Sequence, residues 1–236
     1  MFASGHPVAR AYILRLLVLT FGWGDLAASR QFAATIPSTL LLEDAFVNHL
    51  STLELYSGDY AKALETLGRS QRAVLKEGSV EIPAARLRGD VHEAAGRSAA
   101  AALQWREALK TIDALLAIRP DEAYLRRQKA ILLARLGERK EAAAEFALAR
   151  ELAGKPAAGT VGWGLEFRYH VAIGDKDGAI ARLDRLLQRD VGRWPNLYND
   201  LRHHPALRAL HGDPRVKAML ERGGRWLAEM KAAARP

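Results

Sequence analysis

Glycine and proline alternate along this chain in an order that strongly restricts its fold. Five glycines recur in similar short phrases, at spacings of 34, 38, 41 and 37 residues: Gly24, Gly58, Gly96, Gly137 and Gly174. Five prolines interleave with them: Pro37, Pro83, Pro120, Pro156 and Pro195. Glycine readily adopts the positive φ that ends a helix at a tight turn, whereas proline stops one helix and is tolerated in the first turn of the next. The alternation therefore predicts successive helical hairpins.

The residues between these markers keep a helical spacing. After Gly96, small and large apolar residues fall on one stripe at Ala101, Trp105 and Ala108, and a similar stripe follows three of the other turn glycines. Alanine, leucine and arginine, which favour helices, are abundant, while β-branched residues are sparse. Alternation typical of strands is absent over most of the chain. These patterns predict an all-α protein.

The stripe resembles the tetratricopeptide repeat, in which the second helix carries a small residue, then an aromatic one, then another small one. Gly58-Asp59-Tyr60, followed by Ala63, matches that family best. The family places a small residue in the first helix so that the second can pack closely, and an aromatic residue near the start of the first helix. The matching small residues, each seven before its turn glycine, are Ser51, Gly89 and Ala130, and the matching aromatic residue is Trp163.

The resemblance implies a right-handed α-solenoid of about five tetratricopeptide-like helix pairs. Several units are longer than the family's usual repeat, and most aromatic positions of the first helices are not met. These departures affect the exact repeat boundaries. We expect a helical repeat domain over residues 1–190 and a basic, helical capping segment over residues 191–236.

The capping segment has its own pattern. Asp213 is a suitable N-cap and Pro214 a suitable first helical residue. The stretch 201–220 resembles the closing segment of tetratricopeptide regions in bacterial signalling and regulatory proteins. It would cover the last apolar face of a solenoid.

Charge and composition narrow the classes of function. The chain carries a net charge of +8, with nine basic and four acidic residues after residue 190. A basic tail leaves open a nucleic-acid or anionic-surface binder. The absence of cysteine excludes disulfides, thiolate zinc sites and cysteine nucleophiles.

No apolar run reaches the length of a membrane span, so we expect a cytoplasmic protein without a membrane-spanning helix. The very apolar stretch 12–19 suggests a covered first helix, either by an upstream domain or by self-association.

The search for catalytic chemistry yields one competing motif. The stretch from Gly22 through Trp23 and Gly24 to Ala27 has the form of a dinucleotide-binding loop, which would make the chain a dinucleotide-dependent enzyme. That fold requires alternating strands and helices, which the rest of the pattern does not show. The favoured interpretation is that Gly24 forms the first hairpin turn and Asp25 caps the second helix. We expect no metal site, no cofactor and no catalytic residues.

With catalytic chemistry set aside, binding of a partner at the protein surface is the function that the sequence favours. In the tetratricopeptide family the first helices line a concave, ligand-binding face. The resemblance places six residues on that face: Asn48, Thr52, Arg86, Arg127, Gln128 and Arg168. The three arginines come from consecutive pairs and would suit carboxylates or phosphates. We therefore expect a non-catalytic protein- or peptide-binding scaffold with an acidic partner, as the sensing or interaction part of a bacterial signalling or regulatory system.

Overall fold

The chain is predominantly helical, as predicted, in a computed structural model that describes residues 7–78, 80–153, 163–189 and 194–233. The α-helices are α1 (Pro7–Leu17), α2 (Leu26–Ala33), α3 (Asp44–Ser57), α4 (Tyr60–Gly68), α5 (Ala84–Ala94), α6 (Ser98–Ile118), α7 (Ala123–Arg135), α8 (Arg139–Ala153), α9 (Trp163–Ala172), α10 (Lys176–Arg189), α11 (Trp194–His203) and α12 (Pro214–Ala233). Shorter elements are a π-helical turn (Val18–Gly22) and two 3-10 turns (Ser38–Leu40 and Pro205–Leu210). Two strands form a hairpin, β1 (Val74–Glu77) and β2 (Val80–Pro83).

The glycine turns are confirmed. All five turn glycines have a positive φ, between 60° and 85°. The side chain of Asp25 accepts a hydrogen bond from the Ala28 amide at 2.9 Å and caps α2, as predicted. Asp213 accepts from the Arg215 amide at 2.9 Å, and α12 begins at Pro214, which confirms that start as well.

The prolines mark junctions less uniformly. Pro83 immediately precedes α5, Pro120 lies just before α7, and Pro195 lies in the first turn of α11. Pro37 leads into a 3-10 turn, and α3 begins only at Asp44. Pro156 lies outside the described residues, as does the side chain of Trp163.

The chain forms two compact units. Unit 1 comprises Met1–Gln71 and Asp184–Pro236, and unit 2 comprises Arg72–Leu183. The expected division into 1–190 and 191–236 does not coincide with this one. Unit 1 resumes at Asp184, within α10, and α11 packs on the N-terminal part of the chain, so both ends of the chain belong to one unit.

The core of unit 1 joins α1 to α3. Ala9, Ile13 and Leu16 of α1 are fully buried and pack in one cluster with Phe46 and Leu53 of α3.

The helix α11 completes unit 1. The Asn199 amide donates hydrogen bonds to the carbonyl oxygens of Phe21 and Gly22, at 2.8 and 3.0 Å. The Tyr56 hydroxyl hydrogen-bonds the Asp200 carboxylate. These bonds join residues far apart in sequence, and they hold the tail against the first helices of the unit.

The core of unit 2 contains a close helix approach. A Cβ added at Gly89 would lie well inside 3.0 Å of the Trp105 ring, so α5 and α6 touch at this point. The Trp105 indole donates to the Asp90 carboxylate at 3.3 Å. The guanidinium of Arg135 pairs with the same carboxylate and lies 5.0 Å from the indole centroid. The small residue expected in the first helix is therefore confirmed at Gly89.

The hairpin between α4 and α5 is an element that the sequence analysis did not predict. Its antiparallel strands pair Leu75 with Ile82 and Glu77 with Val80, around Gly78 with a φ of 61°. Leu75 and Ile82 are buried, so one face of the hairpin joins the core of unit 2.

Candidate anion-binding site

Three helices of unit 2 bring basic side chains around one tyrosine. Arg86 lies on α5, Tyr124 on α7 and Arg168 on α9. Burial raises the pKa of the Tyr124 hydroxyl, while the positive charges of Arg86 and Arg168 lower it, and the nearby Glu77 raises it. The hydroxyl therefore remains protonated at neutral pH and can donate a hydrogen bond. Arg86 and Arg168 are both half-buried.

An ion-pair group flanks this tyrosine. Arg127, on the same helix, is only 7% exposed, and its guanidinium lies 3.6 Å from the Glu166 carboxylate. Burial lowers the pKa of Arg127. Arg182 pairs with the other carboxylate oxygen of Glu166. Two arginines thus neutralise Glu166, and Arg127 supports the packing of α7 against α9.

Arg86 contributes a buried donor to the site. Its Nε is buried and has no hydrogen-bond partner among the described residues. A buried donor without a partner is costly, of the order of 1–3 kcal/mol. A ligand oxygen would remove that cost. Arg86, Arg127, Arg168 and Arg182 thus bring four positive charges into the neighbourhood of Tyr124, Glu77 and Glu166.

Gln128 has a structural role in unit 2. Its side chain is fully buried, and Nε2 donates to the backbone carbonyl of Glu81 at 3.0 Å. The Glu81 carboxylate also pairs with Arg119, and it lies 3.6 Å from the Lys76 ammonium. Gln128 therefore ties the hairpin to α7.

The two remaining predicted residues lie in unit 1. Asn48 is 8% exposed, and its backbone carbonyl accepts a hydrogen bond from the Thr52 hydroxyl at 2.8 Å. Both residues are on α3. The structure thus places Arg86, Arg127, Gln128 and Arg168 in one unit, and only the arginines reach the candidate site.

The dinucleotide-like motif at residues 22–27 does not lie between a strand and a helix, as a dinucleotide-binding loop would. A helix and a π-helical turn precede Gly24, where that motif needs a strand. A Cβ at Gly24 would lie well inside 3.0 Å of the Asn199 side chain. The close approach that Gly24 allows is therefore to the chain's own α11.

The tail histidines are part of the packing of unit 1. His203 stacks on Tyr56 with ring centroids 6.1 Å apart, and His204 meets the same ring edge-on at 5.8 Å. His211 Nε2 lies 2.8 Å from the Leu201 carbonyl oxygen. In the described ranges no three His, Cys, Asp or Glu side chains come together as metal ligands would. No helix within those ranges combines the length and apolarity of a membrane span.

Tyr124, Glu166 and Arg182 are members of the site that the sequence pattern did not indicate. Tyr124 precedes Arg127 and Gln128 by three and four residues, so helical spacing alone could have placed it on their face. The contacts of Glu166 depend on how α7, α9 and α10 pack, which no local pattern specifies.

Comparison with protein-family models, with characterised proteins and with solved structures finds no match to this chain. The assignment of a function therefore depends on the geometry and charge of the site itself.

Proposed function

We propose that this protein is a non-catalytic binding module that takes an anionic protein or peptide segment at the cluster formed by Arg86, Tyr124 and Arg168. The observation that carries the proposal is that two half-buried arginines, Arg86 of α5 and Arg168 of α9, lie close enough to the half-buried Tyr124 to lower the pKa of its hydroxyl. A carboxylate or phosphate at this point would accept bonds from all three side chains.

The chemistry of the three donors fits an anion. A guanidinium presents a planar fork of N–H donors that matches a carboxylate or a phosphate. Partial burial lowers the local dielectric, so such a charge-assisted bond is stronger here than on an open surface. The neighbouring Glu166 is already paired by Arg127 and Arg182, so it competes little for Arg86.

The architecture proposed for this module is tetratricopeptide-like. The pairs α5–α6 and α7–α8, the positive-φ glycines after α5, α7 and α9, and the Gly89–Trp105 approach support it. Arg86, Tyr124 and Arg168 come from the first helices of three pairs, and the first helices are where that family binds ligands. In a simple right-handed solenoid of about five pairs, each repeat contacts only its neighbours. This chain departs from that arrangement because α11 packs on residues near its N-terminus. A sensing or interaction role in a cytoplasmic bacterial signalling system is part of the proposal.

The test is a binding measurement with defined peptides. Fluorescein-labelled peptides rich in Glu, Asp or phosphoserine are titrated with the wild-type protein and with the Arg86→Gln/Arg168→Gln variant. Each charge-assisted bond to an arginine contributes about 1.5–3 kcal/mol, so the double variant should lose at least about 100-fold in affinity for the best peptide. Arg127 is left unchanged because its loss would leave Glu166 poorly compensated.

The matched control is Arg106→Gln, which removes an exposed arginine of α6 in the same unit. This variant should bind like the wild type. Equal affinity of the double variant and the wild type would contradict the proposal, and so would equal binding of lysine-rich peptides.

A further inference from the structure

The first helix of unit 1 has an outward face that is unusually apolar. Ala9, Ile13 and Leu16 point into the core, whereas Val8, Leu14 and Val18 are 50%, 41% and 49% exposed. Val18 begins the π-helical turn that continues α1, and helical spacing places it on the same side as Val8, Leu14 and Ala11, which is also exposed. Large exposed apolar side chains that cluster in this way mark interaction surfaces more often than isolated ones do.

A groove continues this face between α1 and α2. It has a volume of about 520 Å³, and its lining includes Ala11, Tyr12 and Leu19 on one side and Gln31, Phe32 and Thr35 on the other. The rings of Tyr12 and Phe32 stack with centroids 5.7 Å apart. A volume of this size accommodates large side chains of a partner.

The charged residues of α1 and α2 are all arginines. The guanidinium of Arg15 lies 4.7 Å from the Phe32 ring centroid, on the groove, and Arg10 and Arg30 are exposed nearby in sequence. Asp25 is the one acidic residue between residues 7 and 35, and it caps α2. An apolar groove with arginines beside it suits a helix with apolar anchors on one face and acidic residues beside them.

We propose that this face and groove, formed by Val8, Leu14, Arg15, Val18, Tyr12 and Phe32, dock an acidic amphipathic helix of a partner protein. The site is separate from the arginine cluster of unit 2, and it extends the function proposed above.

Charge and shape favour this occupant over two others. A second copy of the chain would bring another set of arginines to the same face, on a molecule whose net charge is +8. An anionic membrane would satisfy the arginines, but a bilayer surface contacts protruding side chains and leaves a concave groove unfilled. A helix can place one or two large side chains in the groove while its acidic residues meet Arg10 and Arg15.

The probe is a labelled synthetic helix of about 18 residues, or five turns, with Leu and Phe on one face and Glu elsewhere. A peptide of the same composition, scrambled so that its apolar residues share no face, is the control ligand. Fluorescence anisotropy is measured in the Arg86→Gln/Arg168→Gln background, so that binding at the arginine cluster does not contribute. Failure of the arginine-cluster proposal is thereby distinguished from failure of this one.

The expected result is saturable binding of the amphipathic peptide and at least tenfold weaker binding of the scrambled one. Leu14→Glu and Arg15→Glu should each weaken the first by at least tenfold, with unchanged helical circular dichroism. Leu103→Glu, at a 64% exposed leucine of unit 2, should leave it unchanged.

Three results would overturn the proposal. The first is the absence of peptide binding, or equal affinity for the scrambled peptide. The second is a concentration-dependent dimer, seen by sedimentation, that Leu14→Glu dissociates, because it would assign the face to a second copy. The third is binding to phosphatidylserine vesicles that is lost in Leu14→Glu and that excludes the peptide, because it would assign the face to a membrane.

Discussion

The substitution Gly89→Ala tests the packing that brings α5 onto α6. A methyl group at this position would lie well inside 3.0 Å of Cδ1 and Nε1 of Trp105, a separation that real Cβ atoms almost never show. Trp105 has little room to move, because it is 4% exposed, its indole donates to Asp90 and the guanidinium of Arg135 lies over it.

The cost follows from these contacts. Overpacking in a core costs about 1–3 kcal/mol, and weakening the Trp105–Asp90 bond adds about 0.5–1.5 kcal/mol. Alanine recovers up to about 1 kcal/mol through its better helix propensity. We therefore expect Gly89→Ala to lower the free energy of unfolding by about 0.5–4.5 kcal/mol.

The assay is urea unfolding followed by circular dichroism at the helix band, with the near-ultraviolet signal as a second probe. Gly68→Ala is the matched control, since it lies in a helix and no atom comes within 4 Å of the added methyl group. The control should be unchanged or up to about 1 kcal/mol more stable. A Gly89→Ala protein as stable as the control would refute the close approach.

Three further predictions concern unit 1. Burial lowers the pKa of His203 to about 4. The free energy of unfolding is therefore highest above pH 6.5, where this side chain is neutral in both the folded and the unfolded state, and it falls as the pH drops towards 4. His203→Phe should reduce that loss by about 2 kcal/mol in urea unfolding at pH 4–5. Burial raises the pKa of Glu54 to about 7. The free energy of unfolding of the wild type therefore decreases as the pH rises from 4.5 to 7. Glu54→Gln should remove about 2–3 kcal/mol of that decrease. An unchanged pH profile in either variant would contradict the buried environment of that side chain. Tyr56→Phe removes the hydrogen bond to Asp200 and should cost about 1.5–3 kcal/mol at pH 7, whereas Tyr60→Phe, on the neighbouring helix, serves as the control.

Local signals predicted the helical elements well. The glycine at each turn needs a positive φ. The aspartates that follow three of these glycines need only the amide three residues on, so sequence spacing determines both features. The hairpin β1–β2 left a weaker signal: a Gly-Ser pair typical of hairpin turns follows Glu77, but Val74-Leu75-Lys76-Glu77 does not alternate between apolar and polar residues. It was missed because the helical periodicity on both sides dominated the interpretation.

The position of α11 could not be predicted in this way. Asn199 and the carbonyl of Phe21 are 178 residues apart, and no periodicity links them. The site has the same limit. Repeat spacing suggested three arginines on one face, but only packing shows that Arg127 is engaged with Glu166 while Arg86 and Arg168 lie near Tyr124.

The most direct test of the central claim is a nuclear magnetic resonance titration of the arginine side chains with the best anionic peptide. The account predicts that the Nε–Hε resonances of Arg86 and Arg168 shift together and saturate, while that of Arg106 stays in place. Shifts spread evenly over exposed arginines, with Arg86 and Arg168 unchanged, would contradict it.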